Sequence, residues 1–213
     1  MNECSFTERE AGARVPTKAN REANNKHDAI LESAIKVFAR KGFHNSKIAE
    51  IAREAEVADG TIYLYFKNKD DILIRLFEIK LEQIIQELRA QMAPEKDPLK
   101  KLRRFITLHL DLVNKNPNLA AVLQVELRQS HKFMKEYVPT KFGDYLNLIS
   151  EVIREGQAAG LIRKDAAPGI VKRALFGALD EIALHGVLTH KGKDYLRASA
   201  DQICDLFLRG IAA

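Results

Sequence analysis

Cysteine, proline and glycine are all scarce in this chain, and each scarcity closes off a class of protein. The two cysteines among 213 residues are Cys4, in a polar leader, and Cys204, on a helical pattern near the end. That spacing spells out neither a disulfide framework nor a zinc site, so a reducing cytoplasm is the expected compartment. Six prolines and eleven glycines leave most of the chain free to be helical. No apolar run approaches the ~18 residues of a membrane span, and the opening MNECSFTERE lacks a signal-peptide core, so no membrane association is expected. A strongly basic segment is missing too. The net charge is +5, yet residues 1–70 hold 12 Lys and Arg against 11 Asp and Glu. Charge alone therefore lends little support to nucleic-acid binding, and any such function has to be read from pattern.

What is present is helical periodicity. Residues 1–24 are polar and aperiodic and read as a flexible tail, in which Arg14, Lys18 and Arg21 are available for DNA phosphates. From Lys26 to Lys41 the residues Ile30, Leu31, Ala34, Ile35, Val37 and Phe38 recur at helical spacing, and Gly42 stops the helix. Ser46 is expected to cap a second helix and Asp59 a short third one. A long pattern then runs from about residue 70 to Met92, ended by Pro94 and Pro98. Further helical patterns cover about 98–115, 117–130, 138–159, 168–189 and 194–209, and no stretch alternates with the period of a strand. The expectation is an all-α chain of about nine helices. It has a tail (1–24), a helix-turn-helix DNA-binding domain (25–70) and a helical-bundle ligand-binding and dimerisation domain (71–213), joined without a flexible linker.

The segment SKIAEIAREAEVADGTIYLYFKNK, residues 46–69, carries the functional signal. Ile48, Ile51, Ala52 and Ala55 give one helix an apolar, close-packing face, and a tight turn leads to a second helix short enough to enter a major groove. Ser46 and Lys47 are candidate DNA contacts at the start of the first helix, Gly60 allows close backbone approach, and Thr61 offers a hydroxyl and a methyl to phosphate or thymine. Tyr63 and Tyr65 are spaced to turn at least one phenol to the DNA backbone, and Lys69 opens the next helix, where N–H groups and an ammonium suit a phosphate. Core packing is the competing role for the tyrosines. The run VADGTIYLYFKNKDDIL resembles the TetR family of one-component bacterial repressors, with similarity continuing from about Ile30 to Leu73. Glu56 departs from the pattern, which usually has glycine there, and places a stricter demand on the turn. The resemblance implies a cytoplasmic homodimer bound to an inverted repeat of double-stranded DNA. It also implies a four-helix interface from the last two helices and a ligand cavity in the bundle.

With QVELRQS (124–130) and LFGALDE (175–181), the same run is similar to the FadR-type regulators of fatty acid degradation. That similarity implies a repressor released by long-chain acyl-CoA and no resident cofactor; a repressor answering to another hydrophobic ligand, such as a drug or lipid-like molecule, is the alternative. An acyl-CoA site needs an apolar tunnel and cations at its mouth. Candidate walls are Phe105, Leu108, Leu112, Leu123, Leu127, Phe142, Tyr145, Ile149, Leu175 and Phe176, each of a type that is more often plain core than ligand wall. Candidate cations are Arg104, Arg128, Lys132 and Arg173, though a solvated face accounts more simply for the run KKLRR at 100–104. Gly177 inside a helical pattern suggests close packing or room for a ligand. Glu181 and His185 have metal-permitting spacing without a second pair, and no nucleophile elbow or paired Glu-x-x-His motif supports an enzyme. A purely structural interaction bundle would leave Gly60, Thr61 and Lys69 unexplained.

Overall fold

The computed structural model describes residues 18–126, 141–189 and 191–213. Among them lie nine α-helices: α1 (Lys18–Lys41), α2 (Ile48–Glu54), α3 (Asp59–Ile62), α4 (Lys69–Met92), α5 (Pro98–Lys115), α6 (Pro117–Ala121), α7 (Gly143–Ala158), α8 (Pro168–Leu188) and α9 (Lys193–Ile211). A π-helical turn, Val122–Glu126, continues α6. No strand occurs among the described residues; a single antiparallel bridge joins Ile162 to Ala212. Arg14, Leu127, Arg128 and Lys132 lie outside the described residues, as does Cys4.

Helix α1 starts at Lys18, so residues 18–24 extend a helix where a tail is expected. Extending a helix is cheap once it is nucleated, and the apolar stripe that nucleates this one, Ile30 to Phe38, follows directly. Gly42 ends α1 at φ 79°, and its N–H donates to the Phe38 carbonyl at 2.8 Å. Neither expected cap does that work. Helix α2 begins after Lys47, whose N–H donates to the Glu50 carboxylate at 3.0 Å, while the Ser46 hydroxyl turns back to the Gly42 carbonyl at 2.6 Å. Helix α3 is capped by Ala58, so Asp59 is its first helical residue. Side chains do cap α4 and α5: Asn68 accepts from the Asp71 N–H and Asp97 from the Leu99 N–H, each at 2.8 Å.

The small N-terminal unit packs Phe38, Phe43, Ile51, Ile62 and Phe66 together, with Ile48 and Val57 half-buried at its margin. Burying each large apolar side chain contributes about 1.5–3 kcal/mol. The same core continues through Ile72, Leu76 and Phe77 of α4 into the bundle. Helix α5 is central there, packed against α4, α6, α7, α8 and α9, while α1 reaches past α2 to touch α4, α6 and the π turn. The turn after α7 closes at Gly160 (φ 71°), and Ile162 folds back so tightly that a Cβ on Gly156 would lie 2.4 Å from its Cδ1. Gly177 meets neither expectation: it is exposed on α8, with nothing within 4 Å of where a Cβ would stand.

Candidate functional site: a nucleic-acid interface and a ligand cavity

The turn between α2 and α3 depends on one unusual residue. Glu56 sits at φ 55°, the left-handed conformation that favours glycine, and the N–H of Val57 then reaches the Ala52 carbonyl at 3.0 Å. This places α3 with Ile62 buried and its opposite side open. Gly60 is exposed with free space around it, Thr61 is half-exposed, and Tyr63 and Leu64 are 58% and 82% exposed. Tyr65 is half-buried, its ring 6.2 Å from His27, so Tyr63 is the outward phenol. Two adjacent large side chains left in water at the end of a helix this short mark a contact surface. Leu64 escapes sequence reasoning because leucine signals core; only its position one residue past the α3 cap reveals it.

Charge is arranged more favourably than composition suggests. The acids of α2 are covered from α1: Glu54 pairs with Lys36 at 3.3 Å and Arg40 at 3.7 Å, and Glu50 pairs with Lys41. The Lys41 ammonium and the Lys47 N–H together hold the Glu50 carboxyl below the usual carboxylate range. Lys47 and Lys67 are left exposed, with no ion-pair partner recorded among the described residues. Two expected contacts fare differently. Ser46 is buried, its hydroxyl held by Gly42. The Lys69 ammonium donates to the carbonyls of Phe43, His44 and Ser46 at 2.6, 3.2 and 2.9 Å and lies 4.6 Å from the Phe43 ring centroid. It clamps the loop before α2 to the start of α4 and is not free for a phosphate.

A cavity of about 550 Å³ opens in the bundle, bounded by α1, α4, α5, α6, the π turn, α7 and α8. Of the expected walls, Leu112, Leu123, Phe142, Tyr145 and Phe176 line it. Phe105 lies one layer behind, its ring 5.6 Å from Tyr145, and Leu108 and Ile149 are buried in the core away from the wall. Of the expected cations, Arg128 and Lys132 lie outside the described residues, and the other two do not line the cavity. Arg104 bonds Gln91 at 2.6 Å and faces a separate small pocket between α5 and α9, and Arg173 is exposed on α8 off the cavity. The KKLRR run is a paired surface, with Lys101 on Glu155 and Arg103 on Asp205. Cations do line the cavity, from unexpected helices: Lys36 of α1, Lys80 of α4 and Lys115 of α5. Lys80 is paired with Glu32 and Lys115 with Glu87. Spacing along the chain assigns Lys36 to the reading head, so only the packing of α1 onto α6 shows that it reaches the cavity.

Part of the wall is aromatic. The Phe142 and Phe176 rings meet edge to face at 4.9 Å, and Tyr145 and His109 pack beside them, with the His109 Nδ1 bonded to the Tyr145 hydroxyl. Burial lowers the His109 pKa from 6.5 to about 4 and raises that of Tyr145, with the nearby Asp180 charge adding to the latter, so both are neutral near pH 7. Among the described residues no cluster of His, Cys, Asp and Glu is placed to hold a metal. The buried Cys204 thiol is pushed up to about 11 and is inert. No described helix is long and apolar enough to cross a membrane.

Comparison with known proteins places this architecture. Residues 30–76 match the family described as bacterial regulatory proteins, tetR family, and residues 77–210 match the C-terminal region of YsiA-like proteins. The chain is 36% identical over 186 residues to the fatty acid metabolism regulator protein of Bacillus subtilis (strain 168), spanning 87% of this chain and 95% of that one. Among solved structures it is similar to the fatty acid degradation regulator FadR from Bacillus halodurans, with TM-score 0.82, 35% identity and coverage of 87% of this chain and 95% of the other. It is also similar to FadR from Bacillus subtilis in complex with stearoyl-CoA, with TM-score 0.81, 34% identity and coverage of 87% and 99%. Both halves are thus accounted for, and this chain belongs to the tetR family of bacterial regulatory proteins: it is a DNA-binding regulator of transcription and not an enzyme.

Proposed function

We propose that this regulator is a homodimeric repressor of fatty acid degradation genes that leaves its operator when long-chain acyl-CoA fills the bundle cavity. The observation that carries the reading is the cavity, which combines apolar and aromatic walls on the one hand with Lys36, Lys80 and Lys115 on the other. An acyl chain suits the first and the phosphates of a coenzyme A headgroup suit the second. The similar B. subtilis FadR in complex with stearoyl-CoA supports the same ligand class.

Lys47, Gly60, Thr61, Tyr63, Leu64 and Lys67 form the DNA-facing set, with Tyr65 behind them. Phosphate contacts from the lysines and the Tyr63 phenol fix position, while Thr61 and Leu64 offer methyl groups to base edges. Helices α8 and α9 supply the dimer interface, where Ile170 and Leu206 are 69% and 73% exposed in the single chain. Two heads must meet successive major grooves ~34 Å apart, so a shift of a few ångströms (about 3, on the scale of interface-helix movements) lowers affinity. Helix α1 provides the linkage. Ile35 and Lys36 line the cavity, and Lys36 holds Glu54 of α2. A ligand that prefers a displaced α1 thereby prefers a displaced reading head.

The test is a gel shift on an inverted repeat upstream of fatty acid degradation genes, with and without oleoyl-CoA. Binding that oleoyl-CoA abolishes is expected. Binding indifferent to the ligand removes the acyl-CoA effector and leaves the regulator.

A further inference from the structure

The lining of the cavity contains polar atoms that a saturated hydrocarbon chain cannot satisfy. His109 Nε2 and Gln124 Oε1 are both buried, and neither has a hydrogen-bond partner among the described residues. Both side chains line the cavity, together with Tyr145, Phe142 and Phe176. Gln124 is only 8% exposed, on the π turn that packs against α1, α6 and α8. The Tyr145 hydroxyl is bonded to His109 Nδ1, which fixes the imidazole and leaves Nε2 as its open position. Buried polar groups are nearly always paired, because an orphan carries its full desolvation cost; two in the lining of one cavity point to a partner that arrives with the ligand.

We propose that His109, Gln124 and Tyr145 form a hydrogen-bonding subsite that recognises a neutral oxygen carried by the ligand chain, either a thioester carbonyl or a chain hydroxyl. This assignment rests on the acyl-thioester reading above. Neutrality follows from the surroundings: Asp180 lines the same cavity, and a free carboxylate would meet its charge among aromatic rings. When the Tyr145 hydroxyl donates to Nδ1, the Nε2–H of His109 donates to either kind of oxygen. A hydroxyl also has a proton to give, and Gln124 Oε1 accepts it. A carbonyl therefore engages His109 alone, whereas a hydroxyl engages both residues.

The experiment is calorimetric titration of the full chain with three ligands: palmitoyl-CoA, its hexadecyl thioether, which lacks the carbonyl, and 3-hydroxypalmitoyl-CoA. It is run on the wild type, on Gln124→Met and on the double variant His109→Phe, Tyr145→Phe, each checked for helicity and melting temperature. One satisfied hydrogen bond corresponds to about fivefold in affinity. If the carbonyl is read, the thioether binds about fivefold more weakly than palmitoyl-CoA, and the double variant erases the difference. If a hydroxyl is read, the hydroxyacyl ligand binds about fivefold more tightly than palmitoyl-CoA, and Gln124→Met alone erases it. Should the double variant not fold, His109→Phe alone takes its place, with the same expected loss of the carbonyl preference. Three ligands of equal affinity in the wild type overturn the subsite, as does a preference unchanged in the variants. Failure of all three to bind overturns the acyl-thioester reading, and the subsite with it.

Discussion

Two single residues carry more of this protein's physics than their neighbours. Glu56 holds a left-handed conformation at φ 55° in the turn that sets the angle of α3. A side chain at that position costs roughly 1 kcal/mol against glycine. Glu56→Gly is therefore expected to raise stability by about 0.5–1 kcal/mol, seen as a higher denaturation midpoint. Because it also removes an acid near the reading helix, DNA affinity should rise and not fall; a drop in both would show that the side chain has a role in the turn. His109 is the second. Its folded pKa lies near 4, below the ordinary 6.5, so as pH falls the unfolded chain takes up the proton first. Its contribution is whole above pH 6.5 and is lost progressively toward pH 4, a loss on the order of 3 kcal/mol. Urea titrations across that range should show the loss, and His109→Phe should flatten the His109 part of the profile.

At the scale of elements, the join between the reading head and α4 is a lysine clamp where sequence suggests a phosphate contact. The Lys69 ammonium holds three carbonyls of the α1–α2 loop, so Lys69→Met should cost about 2 kcal/mol through unpaired carbonyls. The readout is thermal or urea denaturation. DNA affinity should fall through a loosened head, with the salt dependence of binding unchanged, since no phosphate contact is lost. A reduced salt slope would restore Lys69 to the DNA surface. The ion pairs from α1 to the acids of α2 work at the same level. They remove negative charge from the side of α2 behind the reading surface, which lets a head of nearly balanced composition approach a polyanion.

For the molecule as a whole, the cavity and the reading head share α1, and the proposed dimer interface draws on Ile170 of α8 and Leu206 of α9, both exposed in the single chain. Leu206→Glu together with Ile170→Glu should yield a folded monomer by sedimentation. Its operator affinity should drop by more than tenfold, because one head alone forfeits half of the contacts. A variant that stays dimeric would move the interface elsewhere. The helices of the described residues, the position of the short reading helix and the all-α class were legible in the chain, because 3.6-residue periodicity and punctuation by Gly42, Pro98 and Gly160 are local signals. The walls Leu112, Leu123, Phe142, Tyr145 and Phe176 were legible for the same reason. Lys36, Lys80, His109 and Gln124 were not, since nothing local says which helix faces which.

The sequence by itself determined where helices form, where they stop, and that one of them is short, exposed and preceded by a strained turn. Those properties rest on backbone sterics and on apolar spacing within about one or two turns of chain. Tertiary packing alone decided that Lys69 turns inward, that Arg104 and Arg173 face away from the cavity, and that α1 forms part of its wall. Each of these depends on contacts between residues distant in the chain, and close-packing of whole helices settles such contacts only after the helices exist.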